Sequence, residues 1–219
     1  MRRMATKSAS PQTTTSESPH ASLRSIRPGH LWLIGALIGT VVLLGIVGAD
    51  IRPLLRYERS EVLQGEWWRL LTGHLVHGNS QHLALNVAGT GLVALLFGRD
   101  YSAAQWLFIL LAGAACIDAG FVFCEPQLVW YVGFSGVLHS AVAAGIVAWW
   151  RYENRYLTLA IALLMAFKLG WEQWHGALPL SGDMPVIVNA HLYGSIGGLL
   201  AAALLAIKRR HWPPDATSL

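Results

Sequence analysis

Charged residues are scarce in this chain. Lys, Arg, Asp and Glu make up 13% of its 219 residues, whereas a soluble domain carries roughly 25%. Hydrophobic residues make up 54%, so the composition excludes an ordinary soluble domain and predicts a polytopic membrane protein of one domain. The net charge of +4 does not indicate a nucleic-acid partner, because the basic residues are scattered at the ends of apolar segments.

Three other features are missing, and each absence excludes a class of protein or site. Two cysteines, Cys116 and Cys124, are too few for a disulfide framework. The sequence has no internal repeat, which argues against a transporter built from two related halves. His74, His77 and His82 lack the H-E-x-x-H spacing and a nearby carboxylate, so we expect no metal and no other cofactor.

Six apolar segments are predicted to be membrane-spanning helices, which makes the fold class an all-α membrane protein. The predicted spans are 31–49, 70–97, 103–123, 135–150, 156–175 and 186–207. The polar, Ser- and Thr-rich residues 1–28 are expected to form a disordered tail. Residues 29–210 then form the six-helix domain, and 211–219 a second short tail.

The distribution of Lys and Arg predicts the orientation of the chain in the membrane, because short cytoplasmic loops are enriched in both residues. With six spans the two termini share one side. Basic residues on that side lie in the N-terminal tail, at Arg99, Arg151 and Arg155, and in the run 208–210. Those on the opposite side are Arg52, Arg56, Arg59 and Arg69. Both termini are therefore predicted to be cytoplasmic.

The motif Gly133-Phe134-Ser135-Gly136 lies at the non-cytoplasmic end of the fourth span. Glycine permits a sharp turn and the close approach of another group. A serine at a helix start has its hydroxyl exposed beside free backbone N–H groups. These are the nucleophile and the oxyanion hole of an acyl-transfer site. The same small residues are also typical of helix packing in membranes, and the motif alone permits both interpretations.

His191 lies early in the sixth span, near the predicted depth of Ser135, and is followed by Gly194 and Gly198. This G-x-x-x-G face would let the sixth helix approach the fourth closely, as a serine–histidine hydrogen bond requires. A buried histidine bonded to a backbone carbonyl is the alternative. His139 is a second candidate base, because residues four apart on a helix meet; it could equally be a structural partner.

Two polar pairs lie within the predicted spans, where ionisable and polar groups are costly. His82 and Asn86 share one helix face and could donate hydrogen bonds to a developing oxyanion, or form a polar clasp between helices. Lys168 and Glu172 have the same spacing and are predicted to position the fifth span. Asp118 has no recognisable partner in the sequence.

The sequence resembles the rhomboid family of intramembrane serine proteases from its first loop to its last span. The matching residues are Trp68-Arg69, His77, His82 and Asn86, Gly133-Phe134-Ser135-Gly136, and Ala190-His191 with Gly194 and Gly198. A G-x-S-G alone is a weak signal, but these motifs in this order on the expected spans are specific.

The resemblance implies a bundle of six transmembrane helices with a water-filled cavity open to the periplasmic side. Ser135 would be the nucleophile and His191 the general base of a dyad that needs no aspartate, and no third member is recognisable. His82, Asn86 and the Ser135 backbone N–H would form the oxyanion hole, supported by the neighbouring residues of the serine motif. Gly133 and Phe134 would support the oxyanion hole, and His77 and His139 would lie around the site.

A narrower resemblance is to the rhombosortase subgroup of Gram-negative bacteria. It is carried by the segments 65–70, 135–139 and 171–173. Ser140 departs from the subgroup, in which glycine commonly follows the histidine. The resemblance implies a multi-pass protein of the bacterial inner membrane that removes C-terminal tails carrying a Gly-Gly motif, a transmembrane stretch and basic residues. Its partners would be such membrane-anchored substrates and the lipid bilayer. The competing classes are a non-catalytic rhomboid-like protein that binds transmembrane helices, and a small transporter.

Overall fold

The computed structural model describes residues 28–48, 50–151, 153–177 and 186–211, with the side chains of residue 28 and of 208–211 excepted. The tails predicted at 1–28 and 211–219 lie outside the described residues except at their inner ends. There, Pro28 begins the first helix and His211 ends the last one.

The described chain is helical apart from two short strands. In chain order, the elements are α1 (Pro28–Val47), α2 (Arg52–Leu55), β1 (Tyr57–Glu58), α3 (Arg59–Leu63), α4 (Arg69–Thr72), α5 (Ser80–Phe97), α6 (Ala103–Cys124), β2 (Trp130–Tyr131), α7 (Ser135–Trp149), α8 (Arg155–His175) and α9 (Asn189–His211). The predicted all-α class is therefore confirmed.

Four helices of the described chain are long and apolar enough to cross a membrane, namely Gly29–Val47, Ser80–Phe97, Ala103–Cys124 and Asn189–Ile207. The helix α7 is apolar but has only 15 residues. The helix α8 has 21 residues but includes Lys168 and Glu172. The chain is a multi-pass membrane protein, while the count of six spans stays a prediction.

The predicted start of the second span at residue 70 is wrong. The segment 69–72 is the separate helix α4, and α5 begins only at Ser80. The Asn79 side chain marks this start, because it accepts a hydrogen bond from the His82 backbone N–H at 2.8 Å. His74 and His77 consequently lie in the connection between two helices.

The first loop, which follows α1, is folded into α2, β1, α3 and α4. Buried Arg69 holds it together by donating to the carbonyl oxygens of Pro53 and Arg56 at 2.7 and 3.0 Å, and to the Glu66 carboxylate at 2.6 Å. Arg59 donates to the two carbonyl oxygens of Phe121 and Val122 near the end of α6, at 2.9 and 3.1 Å. Such bonds satisfy carbonyls that a helix end leaves unpaired.

The first loop also braces the segment that precedes the serine motif. Strands β1 and β2 pair antiparallel, with Tyr57 opposite Tyr131 and Glu58 opposite Trp130. Tyr57, Phe121 and Tyr131 are buried and pack ring against ring. The first loop, the end of α6 and the segment before the serine motif are thereby linked through one aromatic cluster.

Helix α9 packs against α7 at backbone distance, as the glycines of the sixth predicted span indicate, and it packs equally closely against α6. A methyl group on Gly194 would collide with the carbonyl of Gly136, and one on Gly198 with the backbone of Ser140. On the α6 side, a methyl group on Gly197 would lie 2.7 Å from the Ala112 carbonyl oxygen. Small residues are what permit such close helix packing in a bilayer.

We expect Gly198→Ala to destabilise the protein by about 1–3 kcal/mol, because the added methyl group forces α7 and α9 apart. The measurement is thermal unfolding in detergent micelles. Gly91→Ala is the matched control, since Gly91 is also in a long helix and has open space around its Cα. Equal melting temperatures for the two variants would contradict the packing described for α9.

Candidate active site

The serine motif begins on a turn that only glycine adopts readily. Gly133 has φ +126°, and its N–H donates to the Gly73 carbonyl at 3.0 Å. The Tyr131 hydroxyl donates to the Gly133 carbonyl at 2.5 Å. Helix α7 then starts at Ser135, preceded by buried Phe134. The serine is therefore the first residue of a helix whose entry is fixed from two sides.

The Ser135 hydroxyl lies next to the imidazole of His191, in the first turn of α9. The distance from His191 Nε2 to Ser135 Oγ is 2.9 Å, and His191 is 5% exposed. The backbone contact between Gly136 and Gly194 brings the two helices together beside this pair. Serine and histidine thus have the spacing of a nucleophile and its base.

The second nitrogen of the His191 ring faces a carboxylate from α8. His191 Nδ1 lies 2.8 Å from Glu172 Oε2, and Lys168 Nζ lies 2.6 Å from Glu172 Oε1 and 3.3 Å from His191 Nδ1. The Lys168–Glu172 pair is present as the sequence predicted. The contact of this pair with His191 is not evident from the sequence, because the spacing of the two residues does not show which helix they face.

His139 lies beside the imidazole of His191 rather than against the Ser135 hydroxyl. Its Nδ1 is 2.7 Å from the Ser135 backbone carbonyl oxygen, one turn earlier on the same helix. Its ring stacks on that of His191, with centroids 4.2 Å apart and planes 19° apart. This contact restricts rotation of the His191 ring about its side-chain bonds.

His82 and Asn86 lie on the other side of the motif. The His82 ring covers Gly133, where a methyl group would lie 2.8 Å from His82 Nε2. Buried Asn86 donates one amide hydrogen to the His82 backbone carbonyl at 3.1 Å. Since an amide carries two N–H donors, this bond leaves the second for another acceptor.

His77 packs edge-on against the His82 ring, with centroids 5.1 Å apart. It lies between α4 and α5. Burial, together with the neighbouring His82, lowers the pKa of His77 to about 4. His77 is therefore neutral at physiological pH, and its ring packs against the ring of His82.

Asp118 has a partner that the sequence did not reveal. His74 Nε2 lies 3.2 Å from its carboxylate, and the His74 ring packs edge-on against Tyr131. The pair joins α6 to the segment after α4 and supports the strand before the serine motif. Within the described ranges, no group of three His, Cys, Asp or Glu residues is arranged to hold a metal ion.

Comparison with known proteins identifies the family of the chain. The model of the rhomboid domain family matches residues 64–208, which include every site residue described above. The chain belongs to the rhomboid family.

Two rhomboid relatives come from Bacillus subtilis (strain 168). The rhomboid protease GluP is 31% identical over 158 residues, which are 69% of this chain and 29% of GluP. YdcA is 26% identical over 157 residues, which are 68% of this chain and 72% of YdcA. The rhomboid chain described here thus spans about three tenths of the length of GluP.

The stacking of His139 on His191 leads to a prediction about substitutions at residue 139. His139→Phe keeps a flat ring on His191 and loses only the bond to the Ser135 carbonyl. A hydrogen bond contributes about 0.5–1.5 kcal/mol, so we expect the fluorophosphonate labelling rate of Ser135 to fall by about tenfold or less. His139→Ala, which also removes the stacked ring, should label more slowly than His139→Phe.

The opposite pattern would identify His139 as the base. In that case, folded His139→Phe would not label, and His191→Ala would keep labelling. Folding of each variant is checked by its melting temperature in the same detergent.

Proposed function

We propose that this rhomboid chain is an intramembrane serine endopeptidase, with Ser135 as nucleophile and His191 as general base. The observation that carries the proposal is the 2.9 Å separation of Ser135 Oγ and His191 Nε2 at the start of two helices in backbone contact. A base must lie within about 2.6–3.2 Å of the proton that it removes. Membership of the rhomboid family and the likeness to GluP support the same activity.

The reaction follows from this geometry. His191 Nε2 takes the Ser135 hydroxyl proton as Oγ bonds to the carbonyl carbon of the scissile peptide. The C–N bond then breaks, and the same nitrogen gives its proton to the leaving amine. Water attacks the resulting ester, losing a proton to His191, and the proton returns to Ser135 Oγ when the acyl group leaves.

The carbonyl oxygen of the substrate becomes negative during attack and needs hydrogen-bond donors. We assign this role to the Ser135 backbone N–H, which is free at the start of α7, and to the side chains of His82 and Asn86. The left-handed turn at Gly133 lets the His82 ring lie close to the motif. Gly133 and Phe134 thereby support the oxyanion site without reacting.

The proposed enzyme lies in the bacterial inner membrane with six spans, both termini in the cytoplasm and a cavity open to the periplasm. The placement of basic residues supports this orientation. Trp67 and Trp68 of the first loop support an interfacial site, because they are 72% and 52% exposed and tryptophan is enriched at membrane–water interfaces. Cleavage would occur at or near that face.

The proposed substrates are membrane-anchored proteins with C-terminal tails that contain a Gly-Gly motif. The support is the rhombosortase-like sequence around Trp67, His139 and Glu172. In the structure two of these segments meet, because His139 stacks on the imidazole that Glu172 contacts. Two of the segments that resemble rhombosortase thus contribute residues to the proposed active site.

A non-catalytic role, in binding transmembrane helices or in transport, is less well supported. A pseudoprotease would lack Ser135 or His191, and both residues are present and in contact. A transporter is disfavoured by the missing internal repeat.

We expect Ser135→Ala and His191→Ala each to reduce peptide-bond cleavage to background, because each removes a reacting group. The measurement is cleavage of a membrane-anchored reporter with a Gly-Gly tail, together with fluorophosphonate labelling. The double variant should be hardly slower than either single variant, since such residues act as a unit. Ser195→Ala is a matched control, because Ser195 is on α9 but bonds to the His191 carbonyl oxygen.

Labelling of Ser135→Ala at the wild-type rate would show that another residue is the nucleophile. If wild type is labelled but does not cleave the reporter, the assignment of Ser135 as a nucleophile stands and the proposed Gly-Gly substrate is contradicted. Cleavage of an unrelated transmembrane reporter would then indicate a rhomboid protease that does not require a Gly-Gly tail.

We expect His82→Ala and Asn86→Ala to lower kcat by up to about 10²–10³ with little change in KM, because they remove transition-state contacts. The measurement is steady-state cleavage in detergent or nanodiscs. A change in KM alone would mean that these residues bind the substrate instead of the oxyanion.

A further inference from the structure

Glu172 is an unusual residue on α8. Of the 21 residues of this helix, only Thr158 and Glu172 are buried, and Glu172 is 3% exposed. Burying a carboxylate inside a membrane protein is costly, and an apolar side chain would dock the helix at lower cost. The position of Glu172 therefore calls for a role beyond holding α8 in place.

His191 Nδ1 has two possible partners with opposite requirements. The carboxylate of Glu172 only accepts hydrogen bonds, and the ammonium of Lys168 only donates them. A neutral imidazole has one N–H and one lone pair, so Nδ1 bonds to Glu172 when it is protonated and to Lys168 when it is not. The distances of 2.8 Å to Glu172 and 3.3 Å to Lys168 favour the bond to the carboxylate.

The choice between these partners determines what Nε2 can do. With the proton on Nδ1, the Nε2 lone pair faces Ser135 Oγ and can take its proton. With Lys168 donating to Nδ1, neutral His191 carries its proton on Nε2 and cannot act as a base. The carboxylate and the ammonium thus stabilise the active and the inactive tautomer, respectively.

We propose that Glu172 is a positioning residue for His191, completing a Ser135–His191–Glu172 triad, and that the pairing of Lys168 with Glu172 keeps the ammonium from donating to Nδ1. This inference rests on the proposed function of Ser135 and His191 and extends it. When Ser135 loses its proton to Nε2, Nδ1 keeps its own proton, and ionised Glu172 stabilises the imidazolium. In serine proteases with a complete triad, a buried carboxylate has this role.

The experiment compares three proteins in the same detergent: wild type, Glu172→Met, and Glu172→Met combined with Lys168→Met. Methionine has about the volume of glutamate or lysine and forms no comparable hydrogen bond. The measurements are the second-order rate of fluorophosphonate labelling and the melting temperature. In the labelling reaction, the Oγ–P bond forms, fluoride leaves, and the serine proton goes to His191.

We expect Glu172→Met to label at least about tenfold more slowly, up to the roughly 10⁴-fold loss known for a missing triad carboxylate. Adding Lys168→Met should recover at least about threefold of this loss, because the competing donor is gone. If the pair is purely structural, Lys168→Met restores the melting temperature by removing an unpaired charge, but it does not change the labelling rate of the folded protein.

Glu125→Met is the matched control for loss of a carboxylate that only joins helices. Glu125 accepts hydrogen bonds from Asn189 Nδ2 and from the Tyr193 hydroxyl at 3.0 Å, both on α9, and has no bond to His191. We expect a lower melting temperature, labelling within about tenfold of wild type, and no gain on adding Lys168→Met.

Wild-type labelling by Glu172→Met, or a double variant no faster than the single one, would overturn the triad while leaving the proposed function intact. Failure of the function itself would appear separately, as equal labelling of wild type and Ser135→Ala. If Glu172→Met does not fold, ¹⁵N NMR of the neutral His191 ring in wild type decides. A proton on Nδ1 supports the triad, and a proton on Nε2 overturns it.

Discussion

The backbone contact between α7 and α9 is the constraint on which the site depends. Lipid tails are as apolar as leucine, so helices in a bilayer associate through close packing and polar contacts rather than through burial of apolar area. Gly136 and Gly194 bring the two helix starts together, and Ser140 and Gly198 continue the contact one turn deeper. A wider separation would leave His191 out of reach of Ser135 Oγ.

Polar residues around this contact are paired with one another. Asp118 meets His74, Glu125 meets Asn189 and Tyr193, and the site has its own pair on α8. Each pair avoids leaving a charge or donor alone in a poorly solvated region. They also connect segments far apart in sequence, which gives the part of the bundle around Ser135 a defined geometry.

Much of the site could be predicted from the sequence. The short G-x-S-G motif, the position of His191 and the following glycines pointed to the contact between two helices, and the structure confirms that contact. The predicted start of α5 is wrong, because the apolar residues of α4 continue the hydrophobic pattern across Gly73. Hydropathy alone does not distinguish a short surface helix from the first turns of a span.

The contact of Glu172 with His191 could not be predicted in the same way. It depends on the rotation of α8 about its own axis, and one residue changes the facing direction by about 100°. The spacing of Lys168 and Glu172 defines a pair but not the helix that the pair faces. Asp118 presents the same difficulty, since its partner lies 44 residues away in an irregular segment.

The chain order of the site residues has a consequence for biosynthesis. Ser135 begins α7, whereas His191 arrives only with α9, the last helix of the described chain. A ribosome-bound intermediate that ends before residue 189 therefore contains the serine without its imidazole. Helix α7 also exposes to lipid the small-residue face that α9 later covers. Insertion of α9 therefore brings the imidazole to the serine, and a nascent chain without α9 lacks the serine–histidine contact.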